Sequence, residues 1–251
     1  MDKYFFFFVL VGFVAQMIDG ALGMGYGVIS TISLLGFGVS PAAASAGVHA
    51  AKIFTGAASG VAHLKMGNVD RVLLRRLMIP GAIGGIIGAL VLTQTPEKYV
   101  KPFVSIYLAI LGIVIFYKAF HKVTEREVTT HIAPLALTGG FLDSAGGGWG
   151  PIVTSTLMAR GHNPRVTIGS VNLAEFFVCI AQLLAILIFM GQGDWHKVSA
   201  TVSIVAGLIV GGVLAAPLAA YVCRHIPAHA LRIMVGALII LLSARTIYLS
   251  L

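Results

Sequence analysis

The chain has 251 residues, 58% of them hydrophobic and only 10% charged, with a formal net charge of +8. A soluble domain carries about a quarter charged residues, so this chain cannot cover a water-facing surface; a soluble enzyme, a secreted disulfide scaffold and a disordered protein are excluded. An all-α polytopic membrane protein remains, with length for at most about nine spans.

The basic residues sit in short clusters between apolar runs, as the positive-inside rule requires of cytoplasmic loops. The charge therefore points to membrane orientation, and no nucleic-acid partner is expected. Cys179 and Cys223 lie in apolar runs at no metal or redox spacing and read as small buried hydrophobes. The opening MDKYFFFFVLVGF resembles a signal peptide, but it lacks a small-residue cleavage site and is read as mature protein.

In chain order, the apolar runs 4–18 and 26–37 flank DGALGMG. Runs 41–64, 73–92 and 103–120 follow. After the polar link 121–131, runs 132–142 and 151–159 flank DSAGGGWG, and runs 166–190, 198–222 and 228–249 complete the chain. Both halves thus show a glycine-broken hairpin followed by three transmembrane helices. Residues 1–120 are the first repeat, 121–131 a cytoplasmic linker and 132–251 the second repeat.

Anchors along the chain support the duplication. GYGVIST from Gly25 lies over GWGPIVT from Gly148 at an offset of 123. The same offset sets Pro41 over Pro164, His49 over Asn172 and Lys52 over Glu175. Further on, Gly81 and Gly85 meet Gly207 and Gly211. The run 26–37 has 12 residues, a length that suits a re-entrant or interfacial segment better than a span. With both short pairs as hairpins, the sixteen basic residues other than Lys52 divide eleven to five between the two faces. One long broken span in place of each hairpin divides them ten to six. The hairpin topology makes the halves inverted and puts both termini outside.

Inverted halves with matching glycine interruptions point to a transporter site. A broken helix exposes backbone N–H groups that can hold an anion, and glycine lets the chain turn sharply. Gly20, Gly23, Gly25 and Gly27 are candidates in the first half; Gly146, Gly147, Gly148 and Gly150, with Trp149, in the second. Gly84 and Gly88 read instead as close helix packing. Asp19 and Asp143 head the two clusters, either as helix caps or as proton or cation sites. Ser45, His49, Lys52, Gly56, Ser59 and His63 form one stripe of one helix, and Asn172, Glu175, Cys179 and Gln182 form a stripe of its repeat partner. The two stripes are expected to face each other. Lys52 would attract an anionic substrate, with His49 and Asn172 donating hydrogen bonds. Glu175 would reset Lys52 in each cycle; a plain bracing ion pair is the other reading. No phosphate-loop or metal-site spacing is present, so no cofactor and no metal are expected.

At DGALGMGYG, DSAGGGWGP and the proline-started GVSPAAASAGVHAAK and GHNPRVTIGSVNLAE, the chain resembles the TauE/SafE family of sulfite exporters along its whole length. The resemblance implies about eight spans in two related halves. It also implies transport of small sulfur-containing anions such as sulfite, sulfoacetate or other organosulfonates, often as export; other members handle small carboxylates. The resulting expectation is a secondary anion transporter of a bacterial inner membrane, working by alternating access. Its partners would be the substrate, lipids and, through its small residues, a second copy in a homodimer. A passive anion channel and an intramembrane enzyme built on His49 with Asp19 or Asp143 are the competing classes.

Overall fold

The structure is a computed structural model and describes residues 3–120, 131–160 and 162–222, with positions 233, 237, 240, 241 and 244 beyond them. Most of the expected linker and the final apolar run, with Cys223, lie outside the described residues. Every regular element among the described residues is a helix, with no strand.

The first half holds α1 (Lys3–Leu22), α2 (Tyr26–Gly36), α3 (Pro41–Lys65), α4 (Arg71–Gln94) and α5 (Glu97–Phe120). The second holds α6 (Ile132–Gly146), a π-helical turn (Gly150–Thr154) continuing into α7 (Ser155–Ala159), then α8 (Pro164–Phe189), α9 (Gln192–Ala200) and α10 (Val202–Val222). Local chemistry sets several starts. Pro41 and Pro164 open α3 and α8, where a missing N–H costs nothing. Asp70 caps α4, accepting from the Val72 and Leu73 amides, and Asn163 caps α8 in the same way.

Two boundaries differ from the hydropathy reading. The run 198–222 is not one helix, because the chain turns at Thr201, whose hydroxyl donates to Val198 O at 2.7 Å. The first helix of each hairpin also runs on through its aspartate, and the break comes a turn later, at 23–25 and at 147–148. Gly20 is therefore not a turn glycine. It lies in α1, where a β-carbon would come 2.5 Å from the Ala219 methyl.

Among the described residues, four helices are long and apolar enough to cross a membrane: Arg71–Gln94, Glu97–Tyr117, Arg165–Phe189 and Val202–Ala219. Ile79, Ile83, Ile87 and Val91 on α4, and Phe103, Ile106, Ile110 and Ile113 on α5, are exposed; such stripes suit contact with lipid. The helix pairing is symmetric between the halves. The hairpin helix α1 packs on α10, and its counterpart α6 packs on α4. Helices α3 and α8 cross at the centre, with α4 also against α8 and α10 against α3.

Missing side chains permit these contacts. A β-carbon on Gly84 would collide with the Leu137 carbonyl, and one on Gly88 with that of Phe141, so α4 and α6 approach backbone to backbone. Gly207 and Gly211 give α10 the same closeness to α1 at Phe5 and Val9. Lipid supplies no hydrophobic drive for helix association, so close van der Waals packing takes its place.

Candidate functional site

The two hairpin breaks share one device. The chain reverses through left-handed glycines, Gly23 (φ 66) and Gly25 (φ 124) in one and Gly147 (φ 75) in the other, a backbone region open to glycine at no steric cost. From the last turn of the helix before each break, an aspartate reaches across it. Asp19 Oδ1 accepts from the Tyr26 amide at 3.1 Å, and Asp143 Oδ1 from the Trp149 amide at 2.9 Å. Each acid neutralises the positive end of the following helix. The anion held at each helix start is thus the protein's own carboxylate, and these amides are not free donors for a substrate. The breaks also touch each other. A β-carbon on Gly27 would lie 2.6 Å from Gly147 Cα, and Thr154 Oγ1 donates to Gly23 O at 2.9 Å.

The polar stripes of α3 and α8 meet. Lys52 Nζ forms a buried ion pair with Glu175 Oε1. The two residues stand 123 positions apart, the offset that separates the halves. Gly56 and Gly60 let α3 approach α8 at Phe176 and Leu173. A buried ion pair adds little net stability over an apolar replacement, so its presence calls for another reason.

One turn earlier on α3, His49 joins the halves a second time. Its Nε2 lies 3.3 Å from Asp143 Oδ2, and both side chains are buried. Its Nδ1 lies 2.6 Å from Ser45 O and 3.1 Å from Ser45 Oγ. Ser45 Oγ spends its own proton on Ser144 O at 2.7 Å. Cys179 is also near, since one donor atom from each of His49, Asp143 and Cys179 falls within 4.8 Å of the others. That spread exceeds the roughly 3.5 Å between neighbouring ligands on a tetrahedral ion.

A cavity of about 10 Å³ opens beside the ion pair, lined by Gln16, Asp19, Lys52, Thr55, Ser59, Asn172 and Glu175, with Gly56 and Phe176. It has room for about one water molecule. Asn172 is 4% exposed, and neither its Oδ1 nor its Nδ2 has a hydrogen-bond partner. A buried amide left unpaired costs roughly 1–3 kcal/mol, which marks this side chain as waiting for a polar group. A larger space of about 250 Å³ lies where α4 ends and α5 begins, with Glu97 and Lys197 on its wall. It is remote from the buried charges.

The family profile described as "Sulfite exporter TauE/SafE" matches residues 8–246. The chain belongs to the TauE/SafE family. A relative from Bacillus subtilis (strain 168), described as "Probable membrane transporter protein YtnM", is 39% identical over 249 residues, covering 96% of this chain and 81% of its own. No solved structure matches. This TauE/SafE protein is a multi-pass membrane transporter and not an enzyme.

Within this family member, the predicted residues fall into two groups. Lys52, Glu175, Asn172 and Asp19 line one cavity, with His49 and Asp143 close behind. Gly23, Gly25, Gly147, Gly148 and Trp149 are not on its wall. They build the hairpins: the Trp149 indole N–H donates to Val171 O at 3.2 Å, and Gly148 rests against the Tyr107 hydroxyl. Gln182 turns from the cavity to bond Gly140 O and Ser144 Oγ. Gln16 and Thr55 were missed by the sequence reading. Gln16 lies three residues before Asp19, a spacing that sets both on one face of α1.

Proposed function

We propose that this protein moves small sulfur-containing anions, sulfite or organosulfonates such as sulfoacetate, by alternating access between its two halves. The observation that carries the reading is the buried Lys52–Glu175 pair across α3 and α8, at the wall of a cavity that also presents the unpartnered Asn172. An anion entering there displaces Glu175 from Lys52 and takes hydrogen bonds from the Asn172 amide and the Thr55 and Ser59 hydroxyls. A tetrahedral or pyramidal oxyanion uses several donors at once, which suits this set. Glu175 returns to Lys52 when the anion leaves, and the cavity closes again to the size of a water. In this reading His49, Asp19 and Asp143 tune and couple the site, while Gly23, Gly25, Gly147, Gly148 and Trp149 shape the hairpins that frame it.

The halves rock as inverted repeats, both termini lie outside an inner membrane, and net movement is outward. The family description "sulfite exporter" supports the substrate class and the direction. Purified protein in liposomes is expected to give saturable efflux of trapped sulfite or sulfoacetate, and Lys52→Ala is expected to abolish it without loss of expression. Flux that never saturates, or near-normal flux in Lys52→Ala, would sink this mechanism.

A further inference from the structure

The hydrogen-bond inventory around His49 requires a cation between its ring and Asp143. Ser45 O has no proton to give, and the Ser45 hydroxyl proton is already committed to Ser144 O. Nδ1 must therefore carry the ring proton and donate to Ser45. A neutral ring would then turn the lone pair of Nε2 toward Asp143 Oδ2, and two acceptors would face each other at 3.3 Å. Buried in a low-dielectric interior, that contact is repulsive. One proton, on Nε2 or on Oδ2, converts it into a charge-assisted hydrogen bond.

The charges nearby call for the same proton. Asp143 is faced by Lys52 on α3, Asp19 on α1, Glu175 and Cys179 on α8 and Tyr107 on α5. With three ionised carboxylates against one lysine, the cluster carries two net negative charges, a poor host for an anion. The pair also joins α3 of one half to α6 of the other, so it must part or shift whenever the halves rock.

We propose that His49 and Asp143 together form a proton-binding site that is loaded and emptied once in each transport cycle. The inference rests on the transport reading above. A proton enters from water on one side onto the Nε2–Oδ2 contact and leaves to water on the other, and no other bond forms or breaks. The test uses the full chain in liposomes with a trapped pH indicator and sulfoacetate, whose acidic groups are both ionised near neutral pH, so any proton moved is moved by the protein. Asp143→Asn is the informative variant. Its Oδ1 can still accept from the Trp149 amide and its Nδ2–H can donate to Nε2, so the geometry survives without a titrating proton. The number of protons moved per anion is expected to fall by one in Asp143→Asn and by the same one in His49→Gln, with a flatter pH profile of flux in both.

A ratio unchanged in both variants would overturn the proposal. So would loss of flux on chelation with rescue by added zinc, since a metal ion would then occupy the contact. Anion movement without proton movement in the wild type would refute this inference alone. No anion movement at all would refute the transport reading with it.

Discussion

Removing the Lys52 ammonium separates what the ion pair does for stability from what it does for transport. Lys52→Met leaves the Glu175 carboxylate buried among apolar and polar neighbours without its partner. Breaking a buried pair from one side costs about 3–5 kcal/mol, a factor of roughly a hundred to several thousand in the folded population. Lys52→Met with Glu175→Leu removes both charges and roughly keeps their volume. That double variant is expected within about 1 kcal/mol of the wild type, or up to about 4 kcal/mol more stable. Denaturant unfolding in micelles measures both, and efflux from liposomes gives the second readout: the stable double variant should remain inactive. If it is as unstable as the single variant, the two side chains do not neutralise one another. If it transports at the wild-type rate, Lys52 has no part in binding the anion.

Further expectations follow from the hairpins, the helix contacts and the topology. Asp19→Ala removes the side-chain acceptor of the Tyr26 amide and is expected to cost about 1–2 kcal/mol, with Asp19→Asn recovering much of it; thermal unfolding in detergent resolves the two. Gly84→Ala drives a methyl into the Leu137 carbonyl and is expected to cost about 1–3 kcal/mol or more, whereas Ile83→Ala, on the exposed side of α4, should change unfolding little. In a Cys223→Ser background the buried Cys179 should resist a water-soluble maleimide, and substrate that opens the cavity should speed its labelling. Fusion reporters at both ends should place the termini outside; a cytoplasmic signal from both ends would refute this orientation.

Much of the framework was readable from residues alone, because a membrane restricts a chain to helices and the breaks between them. The stripe from Ser45 to His63 needs only the helical period, and the offset of 123 that aligns the glycine motifs also sets Lys52 over Glu175. Their contact was expected, and it is present. Partners chosen by tertiary packing were not readable. Nothing in the spacing brings His49 to Asp143, which lies 94 residues away. The two aspartates each allowed a capping role and a coupling role, and Asp143 makes both kinds of contact through its two oxygens. The glycine clusters misled in one respect. Their composition promised free amides for an anion, but a carboxylate from the preceding turn already faces each helix start. The bend at Thr201 sits within an apolar stretch, where hydropathy carries no signal.

The meeting of the two hairpin breaks bears on how the proposed rocking could be kept free of leaks. Where Gly27 crosses Gly147 there is no side chain on either surface, so rotation about that point requires no rotamer to change and little packing to be rebuilt. Resistance to motion would then reside in the two buried pairs that bridge the halves, Lys52 with Glu175 and His49 with Asp143. A protein with its proton bound but no anion would have to separate Lys52 from Glu175 with nothing to replace either charge, and would stay shut. An anion at Lys52 offers that ammonium a replacement partner as the pair parts. The cargo would thus act as the catalyst of its own passage, lowering a barrier that holds the ungated membrane closed.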